Sequence, residues 1–369
     1  MFHLKTSWRT LCAHARIDRP SACIQQRVGN NSPVLYSVLD LAPVKKDGSI
    51  AEAFRNSVDL ARHAERWGYT RFWLAEHHNA QGIASAATSV LIGHVAGSTS
   101  AIRVGSGGIM LPNHAPLIIA EQFGTLETLY PGRIDLGLGR APGTDGSTAR
   151  ALGRDPRAAD DFPKQVAELI SYLEPPSPGQ TIIAVPGAGT RVPVWLLGSS
   201  TFSAQLAAKL GLPFAFAAHF APQEMMEAIT LYRQHYQPSR FLRNPHVMIG
   251  IPMIAADTDA EARYLATTPA LTFLQLIRGQ PVWLAPPVES MDGRWSAQER
   301  FLVESRLAAA IVGGPQTLRE KLRTFLAKTN ADEIMINCAV FDHTRRLRSY
   351  QLASEAMQDI NQSTIATAV

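Results

Sequence analysis

The sequence predicts an α/β protein of the (β/α)8 class, a TIM barrel with insertions after the fourth and seventh strands. Short apolar runs with strand character alternate with amphipathic, helix-like segments along most of the 369 residues. Eight such runs can be counted, which is the number of parallel strands that closes this barrel. An open, doubly wound sheet is the alternative arrangement for the same alternation.

The predicted elements follow one another in regular order. The strand candidates cover residues 35–41, 71–76, 102–110, 133–139, 193–198, 213–219, 247–255 and 333–340. Apolar residues at helical spacing predict helices over 51–67, from Pro116 onward and over 203–210. The segments 150–192 and 271–306 are longer than ordinary barrel loops, and long insertions of this kind commonly form lids or entry channels.

The charge distribution argues against a nucleic-acid-binding surface. The chain has 35 Lys and Arg residues and 31 Asp and Glu residues, a net charge of +4. Residues 1–33 contain five of the basic residues and one acidic residue, so the rest of the chain is neutral overall. No run of eighteen apolar residues predicts a membrane span, and the three cysteines lack metal-binding or disulfide spacing. We therefore expect a cytoplasmic protein without a metal site.

Residues 1–33 form an N-terminal extension that is excluded from the fold prediction. The segment is basic and poor in acidic residues, a composition that a mitochondrial transit peptide also has. A disordered arm or a misplaced start codon is the favoured interpretation. Residues 34–369 are then predicted to form a single barrel domain.

The segment 102–145 contains two successive strand ends with glycine-rich turns. Gly105, Gly107 and Gly108 allow the backbone to approach a flat ligand closely, and Arg140 adds a permanent cation at the next strand end. Because ligands bind at the carboxyl ends of parallel strands, two such ends predict one wall of a site. The alternative for Arg140 is a surface ion pair, for example with Asp145.

A dinucleotide fingerprint in the same segment is rejected. Gly137 and Gly139 stand at the end of the predicted strand 133–139, with one residue between them. Pro142, however, occupies the position of the third glycine of the fingerprint. Proline there suits a loop better than the first turns of a helix. A serine hydrolase is also disfavoured, because no G-x-S-x-G sequence is present.

Two histidines follow the second predicted strand. Successive side chains of a strand point to opposite faces, so His77 and His78 cannot both point into the barrel mouth. This disfavours a metal site, which needs several converging ligands. His77 is the candidate for proton transfer, and His78 is interpreted as a structural histidine that hydrogen-bonds within the protein.

The fifth predicted strand leads directly into a helix whose start is rich in small polar residues. Gly198, Ser199, Ser200 and Ser203 place hydroxyl groups beside the free N–H groups of the helix, an arrangement suited to a phosphate. Ordinary N-capping by serine is the alternative. Met110, Asn113 and His219, near other strand ends, are weaker candidates for lining the pocket, and a structural role is equally compatible with each. The apolar residues of the 271–306 insertion either line a hydrophobic pocket or pack the insertion onto the barrel.

Several sequence blocks, in order, resemble the bacterial luciferase-like flavin monooxygenase family. They are YSVLDLAP, WLAEHHN, IRVGSGGIMLPNHAPL, AEQF, PGRIDLGLGRAPGTD, VPVWLLGSS and FAAHFAP, and the resemblance extends from residue 36 to residue 352. It implies a barrel, usually a homodimer, that binds FMN at its mouth. By position it makes His77 the active-site histidine and Gly107–Gly108 a non-proline cis peptide under the flavin. Arg140, Ser199, Ser200 and Ser203 would then hold the phosphate, with Met110 and Gly198 beside the cofactor.

The resemblance has two departures and leads to a specific expectation. Luciferase has a glutamate at the position of Ser199 and a cysteine at that of Gly139, which argues against light emission but not against flavin chemistry. We expect a two-component monooxygenase that receives reduced FMN from a flavin reductase and uses O2 to oxidise a small organic substrate. An F420-dependent hydride-transfer oxidoreductase and a non-catalytic flavin-binding protein are the alternatives, and a metal-dependent hydrolase comes last.

Overall fold

The computed structural model describes residues 32–141, 145–154 and 159–366, and its centre is a closed barrel of parallel strands. Pro142 and nearly all of the 1–33 extension, except residues 32 and 33, lie outside the described residues. The strands are β1 (Leu35–Asp40), β2 (Arg71–Leu74), β3 (Arg103–Met110), β4 (Ile134–Gly139), β5 (Val194–Gly198), β6 (Phe214–Ala217), β7 (Val247–Ala255), β8 (Ile311–Gly313) and β9 (Glu333–Asn337).

Twelve α-helices surround these strands in the described part of the chain. They are α1 (Ile50–Arg66), α2 (Thr88–Ala96), α3 (Pro116–Leu129), α4 (Gly146–Ala151), α5 (Phe162–Leu173), α6 (Thr201–Leu210), α7 (Met225–His235), α8 (Asp259–Leu265), α9 (Thr267–Ile277), α10 (Ala297–Arg306), α11 (Pro315–Thr329) and α12 (His343–Ala366). None of the described helices is long and apolar enough to cross a membrane.

The barrel closes through eight of the nine strands. Each of β1 to β7 pairs in parallel with the next, and β9 lies between β7 and β1. These eight strands are the eight that the sequence predicts, so the barrel is confirmed and the doubly wound alternative is wrong. The sequence does not predict β8, a three-residue strand that pairs with Met253–Ala255 on β7, beyond the part of β7 that pairs with β9.

The predicted helices are present for identifiable local reasons. Ser49 accepts a hydrogen bond from the Glu52 amide and caps α1, whose buried face is largely alanine and leucine. Pro116 starts α3, as expected of a residue that needs no intrahelical N–H partner. Gly211 ends α6 in the left-handed conformation, with φ of +64°, which glycine adopts without steric cost.

Both predicted insertions are present. The segment between β4 and β5 contains α4 and α5, and the segment between β7 and β8 contains α8, α9 and α10. Ala270, Leu274, Met291 and Val303 form a small separate core between α9 and α10, against which Phe273 and other apolar residues pack. None of the apolar residues of 271–306 lines the main cavity, and Phe273 and Trp295 pack against this small core instead.

A buried ion network fills the amino-terminal end of the barrel. Arg71 donates to Asp135 (Nη1 to Oδ2, 2.9 Å) and to Glu333 (Nε to Oε1, 2.7 Å), and Arg103 also donates to Asp135 (Nη2 to Oδ1, 2.6 Å). Burial alone would raise the pKa of Asp135, but the charges of Arg103 and Arg71 outweigh it and hold that pKa below its usual range.

An apolar layer separates this network from the open end of the barrel. Trp73 and Trp195 meet edge to face at 5.2 Å between ring centroids, and Trp73 Nε1 donates to Asp135 (3.2 Å). Leu39, Met248 and Met335 pack with the two indoles. The layer forms the floor on which the cavity of the barrel mouth rests.

Candidate active site

The barrel opens into a cavity at the carboxyl ends of its strands. The cavity encloses about 880 Å3, including the part open to solvent. Its wall contains all eight residues that the sequence analysis assigns to cofactor binding, namely Gly107, Gly108, Met110, Arg140, Gly198, Ser199, Ser200 and Ser203. The structure brings these residues to one place, as parallel strands require. Their role in binding stays a prediction.

The Gly107–Gly108 pair leaves bare backbone on one side of the cavity, and the peptide bond between the two glycines is cis. Regular pairing of β3 with β4 is interrupted between Ser106 and Ile109, so the two glycines form an irregularity in the strand. A Cβ atom on Gly108 would lie 2.8 Å from the Gly137 carbonyl oxygen, and one on Gly107 would lie 2.7 Å from Leu39 Cδ1. Only glycine fits at these two positions without a shift of the neighbouring atoms.

The amino terminus of α6 faces the cavity without a side-chain cap. Ser200 is the N-cap residue, yet its hydroxyl makes no capping hydrogen bond, so the alternative of ordinary N-capping is wrong for this serine. Gly198 gives space to Ser203, since a Cβ atom on Gly198 would lie 2.5 Å from Ser203 Cβ. The first N–H groups of α6 and the Ser199 and Ser200 hydroxyls can therefore serve an anion.

Arg140 lies beside this helix terminus as a cation without an acidic partner. Its guanidinium carbon lies 4.0 Å from the ring centroid of Phe202, in the first turn of α6. No Asp or Glu of the described residues forms an ion pair with Arg140. The Asp145 carboxylate instead caps α4 by accepting from the Thr148 amide (2.8 Å) and the Ser147 hydroxyl (2.6 Å). The alternative of an Arg140–Asp145 ion pair is therefore not observed.

The two histidines lie in the loop after β2, which ends at Leu74, and they have separate surroundings. His78 Nε2 lies 2.7 Å from Glu76 Oε1, so His78 has the structural hydrogen bond expected of it. His77 Nδ1 is buried and has no hydrogen-bond partner among the described residues. Burial lowers the pKa of His77, and burial also lowers the pKa of His219, on the cavity wall, to about 4. His77 lies close enough to His219 for the two rings to interact electrostatically, although His77 does not itself line the cavity.

Glu76 organises the loop after β3, and the sequence analysis gives it no role. Its buried carboxylate accepts hydrogen bonds from the Met110 amide (2.9 Å), Asn113 Nδ2 (3.3 Å) and His78, and it pairs with His114 Nε2 (2.9 Å). Burial acts to raise the pKa of Glu76, but the hydrogen bonds from His114, His78 and the Met110 amide hold it below its usual range. Asn113 therefore supports Glu76 and does not line the cavity, whereas Met110 and His219 do.

We expect Glu76→Gln to lower the free energy of unfolding near pH 7 by about 1.5–3 kcal/mol, the range for hydrogen bonds to a charged group. The pKa of Glu76 is lower in the folded than in the unfolded protein. The ionised carboxylate therefore stabilises the folded state at pH values above its ordinary pKa of 4.5, and this stabilisation is lost as the pH falls through the folded-state pKa. Urea denaturation of both proteins between pH 4 and 7 measures this. A difference in stability that stays constant over that range would contradict the assignment.

No group of three or more His, Cys, Asp and Glu residues within the described ranges is arranged to hold a metal ion. The chemistry available at the barrel mouth is therefore that of a bare glycine backbone, an uncapped helix terminus, one free arginine and neutral histidines above an apolar floor. Fold and site together define a (β/α)8-barrel protein with a mouth suited to a flat, anionic ligand.

The chain belongs to the luciferase-like monooxygenase family, whose profile matches residues 35–333. Over 326 residues it is 57% identical to the uncharacterised protein YvbT of Bacillus subtilis (strain 168), covering 88% of this chain and 97% of YvbT. Over 328 residues it is 52% identical to a luciferase-like monooxygenase of Escherichia coli (strain K12), covering 89% and 98% of the two chains. The crystal structure of apo-MsnO8 is 36% identical, with a TM-score of 0.82, and covers 88% of this chain and 98% of MsnO8.

Two less similar solved structures share the fold and hold different cofactors. The oxygenating constituent of 3,6-diketocamphane monooxygenase from Pseudomonas putida, in complex with FMN, is 18% identical with a TM-score of 0.66 and covers 88% of this chain and 97% of its own. An F420-dependent secondary alcohol dehydrogenase in complex with an F420-acetone adduct is 13% identical with a TM-score of 0.64, covering 88% and 99%. At these identities the likeness concerns the fold alone.

Proposed function

We propose that this protein is an FMN-dependent monooxygenase that receives reduced FMN from a separate flavin reductase and uses O2 to oxidise a small apolar organic substrate. The observation that carries the proposal is the combination, in one cavity, of the bare Gly107–Gly108 backbone with the uncapped terminus of α6 and the unpaired Arg140. Membership of the luciferase-like monooxygenase family supports the same reaction class.

The phosphate of FMN fits the α6 side of the cavity. Arg140 and the first N–H groups of α6 supply positive charge, and the hydroxyls of Ser199, Ser200 and Ser203 supply donors. The flavin ring system would lie along the bare backbone of Gly107–Gly108, where a Cβ atom on either glycine would collide with neighbouring protein atoms. Met110 and Gly198 would complete the contact surface at the two ends of this wall.

When bound, reduced FMN supplies the electrons for the activation of O2. The residues of the chain then have three tasks. The apolar floor, which includes Trp73 and Met248, excludes water from the ring. Arg140 and the serines fix the position of the cofactor. His77 lies beside the cavity wall, not on it, and burial keeps it neutral at pH 7; we assign it proton transfer to or from the bound ligands by way of His219, which lines the cavity.

The supply of reduced cofactor is assigned to a partner protein because the sequence contains no dinucleotide fingerprint. The proposal includes a homodimer acting with a flavin reductase, as the family resemblance implies. It also includes a cytoplasmic setting without nucleic acid or membrane as a partner, which the cysteine spacing, the charge distribution and the lack of a long apolar run favour. Size-exclusion chromatography with light scattering tests the dimer directly.

An oxygen-isotope experiment tests the proposed reaction. The protein is mixed with FMNH2, a panel of small thioethers, ketones and alkenes, and buffer containing 18O2, and products are analysed by mass spectrometry. Incorporation of one 18O atom into a product is the expected result. Reduction of a ketone by F420H2 without O2 would instead establish the hydride-transfer alternative. Stoichiometric FMN binding without any product would establish the non-catalytic alternative.

We expect Arg140→Ala to weaken FMN binding by roughly 10- to 100-fold, the effect of losing charge-assisted hydrogen bonds to a phosphate. Riboflavin, which has no phosphate, should bind the wild type and the variant equally. Fluorescence titration with both flavins measures the effect, and Arg66→Ala, an exposed arginine on α1, is the matched control. Equal losses for FMN and riboflavin would show that Arg140 contacts the ring system or supports the fold.

A further inference from the structure

Arg306 is a half-buried cation that contacts Phe220, a residue of the cavity wall. It is the last residue of α10 in the 271–306 insertion, and its Nη1 donates to the Phe220 carbonyl oxygen at 2.7 Å. Its guanidinium carbon lies 4.6 Å from the ring centroid of Phe220 and 5.1 Å from that of Phe273. These contacts hold the guanidinium in a defined place and leave most of its N–H donors unused.

Two other arginines of the insertion have acidic partners. Arg278 pairs with Glu299 at 2.7 Å, and Arg300 pairs with Glu304 at 2.7 Å. Within the described ranges, no Asp or Glu lies at ion-pair distance from Arg306. Burial lowers the pKa of the Arg306 side chain, and no acidic neighbour opposes this effect. Partial burial of a guanidinium group without a neighbouring anion is unfavourable. An anionic ligand beside Arg306 would therefore be stabilising.

Arg306 lies next to a residue of the cavity wall. Phe220, to which Arg306 donates, lines the cavity together with His219, and the charge of Arg306 acts on His219. Arg140 is the only Lys, Arg, Asp or Glu among the lining residues of the described chain, and it lies by the helix terminus assigned to the flavin phosphate. The rest of the wall is mainly apolar. Arg306 does not itself line the cavity, but a ligand that extended past Phe220 would meet the guanidinium with one anionic end while its remainder stayed in apolar surroundings.

We propose that Arg306 binds a carboxylate of the substrate, so that the substrate class is a small organic acid with an apolar portion directed toward the flavin site. The planar guanidinium matches a carboxylate through two parallel N–H donors. Arg306 is thus a specificity-determining residue. The oxidation of such an acid rests on the proposed function, but the binding of its carboxylate does not.

Calorimetric titration with octanoate and with octanamide tests the proposal, because the two probes differ in charge and share the alkyl chain. The protein is used with saturating oxidised FMN. We expect the wild type to bind octanoate more tightly than octanamide. Arg306→Met, which keeps an unbranched side chain between the two phenyl rings, should lose roughly 10- to 100-fold in octanoate affinity and none for octanamide. Arg306→Lys should keep part of the preference, and Arg300→Met is the matched control on the same helix.

The outcomes separate the carboxylate site from the proposed reaction. Equal binding of octanoate and octanamide by the wild type overturns the carboxylate site even if Arg306→Met does not fold. An Arg306→Met variant that binds FMN more weakly but riboflavin normally also overturns it, since Arg306 would then hold the flavin phosphate. If FMN does not bind but octanoate still binds through Arg306, the carboxylate site stands and the proposed function fails.

Discussion

Replacement of His77 by glutamine is expected to lower kcat by roughly 10²- to 10⁴-fold, the contribution of a positioned acid or base. Glutamine keeps hydrogen-bonding capacity but cannot accept a proton at neutral pH. Because burial lowers the pKa of His77, the acidic limb of the wild-type pH–rate profile should fall below the ordinary value of 6.5 and should be absent from the variant. Product formation under single-turnover conditions, with reduced FMN supplied in stoichiometric amount, measures both effects.

Binding measurements separate a catalytic from a structural role for His77. FMN affinity and thermal stability should be unchanged in His77→Gln, and His94→Gln, an exposed histidine on α2, should behave like the wild type. Full activity in His77→Gln would remove His77 from the mechanism. A parallel loss of FMN affinity would make it a residue that positions the cofactor.

Asp135→Asn is expected to lower the free energy of unfolding by about 3–5 kcal/mol, the cost of breaking a buried ion pair from one side. The asparagine would leave Arg71 and Arg103 buried without their shared counter-charge. It would also disturb the hydrogen bond to Trp73, which belongs to the floor of the cavity. Urea denaturation at pH 7 measures the loss.

An exposed pair provides the control for this prediction. Asp257 pairs with Arg348 at 2.7 Å, and its side chain is 61% exposed. Asp257→Asn should therefore cost less than about 1 kcal/mol. Similar stabilities for Asp135→Asn and Asp257→Asn would contradict the structural importance of the barrel network.

The sequence predicts the barrel because eight short, strand-like runs alternate with amphipathic helical segments, and eight parallel strands close this barrel. It does not predict β8, whose three residues are too few for any periodic pattern to be recognised. The ion network is also missed, since it joins Arg71, Asp135 and Glu333, which are far apart in the chain. Charged residues at barrel-facing positions within apolar runs are the signal that could have identified it.

A site residue can be predicted from the sequence when its chemical character is visible at a single strand end. The glycines after β3, Arg140 after β4 and the serines after β5 are each visible locally, and the parallel barrel brings them together. The role of Glu76 is not visible in this way, because its partners Met110, Asn113 and His114 follow more than thirty residues later. Arg306 is missed for the same reason, since only the folded insertion brings it to Phe220.

Binding of reduced FMN at the barrel mouth is measured by an equilibrium titration of the purified protein without oxygen. The protein is titrated separately with FMNH2, FMN and F420, and binding is followed by flavin fluorescence and calorimetry. We expect one site per chain that binds FMNH2 more tightly than FMN and binds both more tightly than F420. Preference for F420, or the absence of any flavin binding, would contradict this expectation.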